Sequence, residues 1–421
     1  MTEHDDRGTR WSESSPEPEE GVSRRNLFGL VGVGAAMGIT GFAGGGIVTR
    51  LTTAPSEPDA QGASEEGPGS VAFDGIHQAG IATPAQANLV LTAYDLDEGA
   101  GREQLKTVMQ HWTVAARALV SGSPVAGDPT ISVGNPAALT VTVGVGRALV
   151  ARLGAEVPAG LGDLPSFAGD ELDPTLSGGD VVVQLCADDP LVLAQADRVL
   201  TQLAAPHLRP RWQQQGFGST GARRDGRTGR NLMGQLDGTN NVTTSQLATS
   251  GPIWVDAESP AWLAGGSYMV VRRIRMLLDD WDRLDSDHQA RVIGRTKDTG
   301  APLGGTQETD FVDLEARHPS GDLIIPSDSH VRHAAPRSES ENMMRRGYSY
   351  RGAVSAAGAV DQGLLFISFQ RDPTTSFIPV QARLASSDAL SALTRTTGSA
   401  LFAILPGVRS ASDWLGAELL S

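Results

Sequence analysis

One short segment of the chain, residues 230–241, places a carboxylate where it could exchange protons with a bound molecule. Asp237 stands there in a Gly-x-x-Asp-Gly run, between Gly234 and Gly238. Glycine allows a backbone with positive φ and lets a flat ligand approach the chain, because it has no Cβ. Asp-Gly is also common in surface turns, so this segment alone does not define a site.

Two later segments add side chains of complementary chemistry. Residues 327–336 hold imidazoles, among them His330, in a polar loop, and residues 342–350 bring Arg345 and Arg346 together at the start of a predicted strand. A neutral imidazole can bind a metal, and a guanidinium is a permanent positive charge that can stabilise an anion. Each segment alone could be ordinary surface chemistry, and only the occurrence of all three together indicates a site.

In this order the three segments resemble the dye-decolourising peroxidases, in particular the exported branch related to the haem-containing deferrochelatase of bacterial iron uptake. The resemblance covers roughly residues 75–421, and three ordered motifs are more specific than any one of them. It implies one b-type haem per chain, with hydrogen peroxide and an organic reductant as partners.

The resemblance also implies a role for each residue. Asp237 lies over the distal face of the haem in the loop that contains Gly234 and Gly238, His330 is the axial ligand of the iron, and Arg345 is the distal arginine. Asp237 would then carry the proton between the two oxygens of peroxide. Because an ordinary carboxylate titrates near pH 4, roughly, we expect an acidic optimum.

Neighbouring residues leave two of these assignments open. His333 is the rival of His330 as the iron ligand, and the family pattern favours His330. Arg346 would lie on the opposite face from Arg345 if the segment is a strand, where it could bind a haem propionate or a surface acid. Trp262 and Tyr348, close to the motifs in sequence, are candidates to pass electrons from a large reductant, although both residue types more often pack in cores.

Three functions are consistent with these residues. The first is a haem peroxidase that oxidises phenolic or dye-like reductants. The second is a haem-containing component of iron acquisition that oxidises ferrous iron or releases iron from haem. The third is a non-enzymatic ferredoxin-like protein that binds a small molecule, with Asp237 as a turn residue only.

Hydrophobic periodicity predicts the elements that must position this site. The first half shows strand, helix, strand, strand, helix and strand, at residues 88–94, 102–120, 138–145, 181–186, 190–203 and 211–217. The second half repeats this order at 267–276, 277–293, 347–353, 364–370, 387–394 and 399–404. That order is typical of a ferredoxin-like unit. We therefore predict an α+β protein with two ferredoxin-like domains, antiparallel sheets with helices on their outer faces, and a haem pocket mainly in the C-terminal domain, walled by the insertion at 294–346.

Composition limits the partners. The chain has 34 Lys and Arg against 49 Asp and Glu, a net charge of -15, which argues against nucleic acid or an anionic membrane as the main partner. Homo-oligomerisation stays open. The single cysteine, Cys186, lies in an apolar strand pattern and is predicted to be a core thiol.

The N-terminus predicts export. Arg24 and Arg25 precede an uncharged, glycine-containing run that ends before Arg50, a pattern typical of a signal for the twin-arginine translocase. A membrane anchor is the alternative, because the run is long enough to cross a bilayer. The predicted organisation is an export signal at 1–54, a disordered linker at 55–74, an N-terminal domain at 75–225 and a haem-binding domain at 226–421, in a protein of the cell envelope, periplasm or extracellular space.

Replacing both Arg24 and Arg25 by Lys should stop export, because the translocase recognises the two guanidiniums. We expect folded, haem-loaded protein to remain in the cytoplasm, as measured by cell fractionation and the haem absorbance of each fraction. Arg50→Lys, the same chemical change at the far end of the run, is the control and should be exported normally. Unchanged export of the double variant would favour an anchor or another signal.

Overall fold

The computed structural model describes residues 69–126, 134–219, 227–242, 247, 251, 253–257, 259–354 and 358–421. All of them lie in one compact unit. The predicted export signal, with Arg24 and Arg25, and the linker up to residue 68 lie outside the described residues. Within the described ranges, no helix combines the length and the apolar character needed to span a membrane.

The folded chain begins before Gly75, where the first domain was predicted to start. Phe73 packs against the N-terminal core, and Asp74 forms an ion pair of 2.9 Å with Arg117 and a bridge to Val408. The last residues of the predicted linker, which was expected to be disordered up to residue 74, are therefore part of the fold.

The N-terminal half is a ferredoxin-like unit. Its strands pair antiparallel in the order β2-β3-β1-β4, and helices cover one face. The predicted helix at 102–120 is confirmed, and it buries Trp112 completely. The elements are β1 Asn88–Leu96, α1 Arg102–Val120, β2 Thr140–Gly146, α2 Arg147–Arg152, β3 Val181–Ala187, α3 Pro190–Ala204 and β4 Leu208–Phe217.

The C-terminal half repeats this arrangement, with strand order β9-β5-β8-β7 and a short extra strand, β6, against β8. The predicted α+β fold class is thereby confirmed. The elements are β5 Ser267–Met276, α4 Leu278–Trp281, α5 Ser286–Ile293, α6 His330–Ala334, β6 Met344–Arg345, β7 Tyr348–Val354, β8 Val360–Gln370, α7 Phe377–Ser387, β9 Thr394–Ile404 and α8 Ala417–Leu420, with 3-10 helices at Pro174–Leu176, Ala261–Leu263, Glu339–Glu341 and Ala389–Leu393.

Two predicted helices of this half were wrong in extent. The helix expected at 277–293 is two helices, because Asp285 caps a new one by accepting a hydrogen bond of 2.7 Å from the backbone N–H of His288. The helix expected at 387–394 lies earlier, as α7, and Ala389–Leu393 is a 3-10 helix. Pro379 hid α7 from the sequence pattern, although proline is tolerated in the first turn of a helix.

The two half-sheets close on each other. β2 pairs with β9, β4 pairs with β7, and β5 pairs with β8, so eight strands form a hydrogen-bonded ring. Each seam between the halves carries a glycine where a side chain would not fit. A Cβ on Gly144 would lie 2.5 Å from Ile404 Cδ1, and a Cβ on Gly216 would lie 2.7 Å from Tyr348 Cβ.

The ring encloses an apolar core that both halves share, with Leu91 and Cys186 from the first half and Met269 and Phe402 from the second. Cys186 is fully buried there, as predicted for a core thiol. Tyr348 Oη lies 3.5 Å from Cys186 Sγ, within the wider limit for a hydrogen bond to sulfur.

Arg346 adds a polar connection between the halves. Its guanidinium is 2% exposed and donates to the carbonyl oxygens of Thr83, at 2.5 Å, and Pro84, at 3.4 Å, and to Gln86 Oε1. These acceptors belong to the segment just before β1. Gln86 is buried, so a donor lost to its Oε1 cannot be replaced by bulk water at no cost.

Arg346→Met should therefore destabilise the whole fold. A buried acceptor left without a donor costs roughly 1–3 kcal/mol, and Gln86 Oε1 is such an acceptor. We expect a lower free energy of unfolding in urea, measured by circular dichroism. Arg351→Met, at an exposed position of β7, is the control and should change little. Equal stability of the two variants would contradict the bracing role of Arg346.

Candidate active site

His330 is the first residue of α6, and its imidazole is held by a carboxylate. His330 Nδ1 lies 2.6 Å from Oδ2 of Asp388, whose side chain is only 4% exposed. An ionised carboxylate only accepts, so Nδ1 carries the hydrogen, and in the neutral ring Nε2 then has the lone pair that can bind a metal. This is the arrangement of a metal-binding histidine whose basicity is increased by a hydrogen-bonded acceptor.

The carboxylate of Asp388 is itself fixed in place. Asp388 ends α7 and caps the following 3-10 helix, where its Oδ1 accepts from the backbone N–H of Leu390 at 2.9 Å. The next residue, Ala389, donates its N–H to the carbonyl oxygen of Asp328 at 2.8 Å. Two contacts thus join the turn after α7 to the segment around His330: one from Asp388 to the imidazole and one from Ala389 to the backbone of Asp328.

A second residue of α7 holds the other end of α6. Arg383 donates to the carbonyl oxygens of His333, at 3.3 Å, and Ala335, at 3.1 Å, and it makes two hydrogen bonds of 2.8 Å with the carboxylate of Glu341. Hydrogen bonding from Arg383 lowers the pKa of Glu341. The short helix α6 is therefore attached to α7 at its start and at its end.

The electrostatic surroundings of His330 include two of the other predicted site residues. Burial alone would lower the pKa of His330, but the carboxylates of Asp388 and Asp237 raise it and outweigh both burial and the opposing charge of Arg345, so the pKa of His330 is raised. Asp237 and Arg345 therefore act on the same imidazole. The structure brings together residues 93 and 15 positions away from His330 in the sequence.

The loop of Asp237 has the backbone that the sequence predicted. Gly234 has φ of 77° and Gly238 has φ of 121°, both in the region that glycine adopts most easily. Asp237 donates its N–H to the carbonyl oxygen of Gly229 at 2.9 Å, and its exposed carboxylate lies 3.4 Å from Asn231 Nδ2. A carboxylate in contact with solvent can exchange its proton.

Arg345 lies on β6, directly opposite Ser368 of β8. Cross-strand partners project from the same face of a sheet, so Arg345 shares that face with Ser368 and, by alternation along β8, with Phe366 and Leu364. Leu365 and Ile367, which alternate with them, point into the shared core instead. Arg345 thus stands beside half-buried apolar side chains, on the outer face of the sheet.

These surroundings fit a haem. Within the described residues, no group of three or more His, Cys, Asp or Glu side chains is placed to hold a metal ion alone. A porphyrin supplies its own in-plane nitrogens, so one axial imidazole such as His330 is enough. Leu364 and Phe366 are only partly buried and belong to two separate apolar clusters on this face, which suits a flat apolar ring.

Four other candidate residues have different surroundings. Arg346, predicted to bind the cofactor, turns its guanidinium to the segment at 83–86. The ring of His333 has its Nε2 3.0 Å from the carbonyl oxygen of Ser327. Trp262 and Tyr348, considered as surface relays for electrons, are 6% and 1% exposed, so neither meets a large reductant directly.

Sequence reasoning missed Asp388 because the residue fell inside a helix predicted at 387–394. The signal that could have revealed it is local. An aspartate just before Ala389-Leu390 is a typical helix cap, which marks a new turn rather than a helix interior. Its partner, His330, is 58 residues away, a distance that no local pattern spans.

Comparison with known proteins agrees with the site. Residues 78–218 match the family model described as Dyp-type peroxidase, N-terminal, and residues 228–409 match Dyp-type peroxidase, C-terminal. The chain is 40% identical to the dye-decolorizing peroxidase of Thermobifida fusca over 97% of this chain and 99% of that protein. It is 37% identical to a deferrochelatase of Escherichia coli, covering 96% and 99%.

A solved structure shows the same fold at similar identity. An oxyferrous/water mixed complex of DtpA from Streptomyces lividans superposes with a TM-score of 0.80 and 43% identity, covering 84% of this chain and 98% of that one. Fold, site and matches together define a haem-dependent peroxidase. More narrowly, the chain belongs to the dye-decolourising, or Dyp-type, peroxidase family. The resemblance seen in the sequence and the haem cofactor are confirmed, and the non-enzymatic alternative is excluded.

His330→Ala should yield a folded protein that retains little haem, because the imidazole that we expect to bind the iron is removed while apolar contacts remain. The measurement is the Soret absorbance per protein after gel filtration. His333→Ala is the matched control, an imidazole three residues on, and should retain haem. The opposite pattern would make His333 the iron ligand.

Proposed function

We propose that this protein reduces hydrogen peroxide while it oxidises phenolic or dye-like reductants, with Asp237 as the proton carrier and Arg345 as the stabilising charge. The observation that carries this proposal is that the loop of Asp237 binds Arg345 directly, through the side chain of Asn241 and the carbonyl oxygen of Asn240. The name of the Thermobifida fusca relative, a dye-decolorizing peroxidase, supports the class of reductant.

The proposed task of Asp237 is to move one proton. Its carboxylate accepts the proton from one oxygen of hydrogen peroxide and returns it to the other, so that the O–O bond breaks with water as the leaving group. Hydrogen bonds hold the Asp237 loop and one oxygen of its carboxylate in place. The carboxylate stays exposed, so it remains accessible to a proton. Haem, when bound, supplies the iron that takes part in the electron transfer.

The proposed task of Arg345 is electrostatic. A guanidinium keeps its charge across the working pH range, so it can stabilise negative charge as peroxide loses its proton and the O–O bond breaks. Arg345 is held for this by a hydrogen bond of 2.9 Å from Nη2 to the carbonyl oxygen of Asn240. A charge already in position does not have to reorganise during the reaction.

A second function is supported by the deferrochelatase relative, which is 37% identical over nearly the whole chain. In that case the same site would release iron from haem or oxidise ferrous iron. Incubating the holoprotein under reducing conditions and measuring porphyrin fluorescence distinguishes the two functions. Metal-free porphyrin without added peroxide would favour iron acquisition, whereas peroxide-dependent dye oxidation with intact haem favours the peroxidase.

Export by the twin-arginine translocase completes the proposal. The arginine pair at 24 and 25 supports it, because this pathway carries proteins that are already folded. A haem enzyme can then acquire its cofactor in the cytoplasm and act outside it.

Asp237→Asn should bind haem normally but react slowly with peroxide, by ~10²–10⁴-fold, because the acid–base group is lost. The activity that it retains should also lose the acidic optimum that carboxylate titration causes. Arg345→Leu should slow the reaction by ~10²–10³-fold and keep the pH profile, since guanidinium does not titrate there.

Stopped-flow mixing with peroxide across roughly pH 3–8, which brackets an ordinary carboxylate, makes this measurement. The two variants serve as controls for each other, because only one of them removes a titrating group. A fast reaction with an unaltered pH profile in Asp237→Asn would mean that Asp237 is not the proton carrier.

A further inference from the structure

The side chain of Asn241 forms two hydrogen bonds with the backbone of Arg345. Asn241 Oδ1 accepts the N–H of Arg345 at 2.9 Å, and Asn241 Nδ2 donates to the carbonyl oxygen of Arg345 at 2.7 Å. A carboxamide offers the same donor and acceptor as a peptide group. Asn241 therefore serves Arg345 as a neighbouring strand would.

This contact matters because β6 is very short and has few other hydrogen bonds to hold it. The strand has two residues, and its pairing joins Met344 to Phe369 and Arg345 to Ser368. Since Arg346 donates its N–H to Ile367, the N–H and carbonyl of Arg345 point away from β8. Asn241 satisfies both groups on that side, where they would otherwise form an open strand edge.

The same loop also holds the other end of Arg345. Its Nη2 donates to the carbonyl oxygen of Asn240 at 2.9 Å, so two successive residues, 240 and 241, bind its guanidinium and its backbone. These residues follow Asp237 by three and four positions. Thr239, between them and Asp237, is fixed by a hydrogen bond of 2.8 Å to Glu308.

We propose that Asn241 is a positioning residue for the peroxide reaction, setting the place of the Arg345 guanidinium relative to the Asp237 carboxylate. Asn241 acts only through Arg345, and the proposal rests on the function proposed above for that arginine. Proton carrier and stabilising charge are then parts of one hydrogen-bonded assembly, although they are 108 residues apart in the chain. Small misplacements of such groups are costly, since about 1 Å can reduce a rate ~10²-fold.

A double-mutant cycle tests this. Asn241→Leu removes both hydrogen bonds while keeping a similar volume, and it is compared with Arg345→Leu and the double variant, all as haem-loaded full-length proteins. Three quantities are measured: the rate of the spectral change with peroxide, the affinity for fluoride read from the visible spectrum, and the midpoint of urea unfolding.

Asn241→Leu should slow the peroxide reaction by ~10–10²-fold and weaken fluoride binding, with the pH profile of the parent protein kept. In the Arg345→Leu background it should cause no further change in rate or fluoride affinity. The unfolding midpoint should fall equally in both backgrounds, because the backbone hydrogen bonds remain in each. Asn135→Leu is the matched control, since Asn135 also binds backbone through its amide, at Ala137 N, 2.9 Å away, and it should not alter the reaction.

Two outcomes overturn the inference. An equal loss of rate in both backgrounds would show that Asn241 acts on something other than Arg345. An unchanged rate in Asn241→Leu, with a slow Arg345→Leu, would show that the two hydrogen bonds of Asn241 serve stability only. A normal rate in Arg345→Leu itself would instead refute the proposed role of Arg345. The two failures are thus distinguishable.

Discussion

The hydrogen bond between Asp388 and His330 is the interaction on which the site depends. An imidazole has two nitrogens, and it can bind iron well only if one carries the hydrogen and the other is oriented towards the metal. Asp388 determines this choice, because its buried carboxylate is already held by the cap of a 3-10 helix. Helix α7 ends at Asp388 and also binds the end of α6 through Arg383. The position of α7 therefore affects which nitrogen of the His330 imidazole carries the hydrogen.

Sequence patterns were informative wherever the determining interactions are local. The strands and helices of both halves follow from periodicity, and the positive φ of Gly234 and Gly238 follows from the chemistry of a tight turn. His330 was preferred to His333 from a motif alone, and the contact with Asp388 agrees with that preference. The periodicity, the glycine turn and the motif around His330 depend on neighbours within a few residues, which is the range over which sequence patterns carry information.

The remaining features depend on distant partners. Arg345 and Arg346 are adjacent and chemically equal, so alternation predicts that they face opposite ways but not which one faces the site. The pairing of Arg345 with Ser368 places Arg345 on the outer face of the sheet, and that register is a property of the assembled sheet. In the same way, Asn241 looks like one more loop amide until β6 lies beside it.

The closed ring of strands has a consequence for how this enzyme can change over generations. Each half repeats the same unit, which suggests modules that could be exchanged, but each half alone would end in two strands with unpaired backbone groups. Both seams would have to match again after any exchange, including the narrow fits at Gly144 and Gly216. The two repeats are therefore constrained to be inherited together, because an exchange of either one has to preserve both seams.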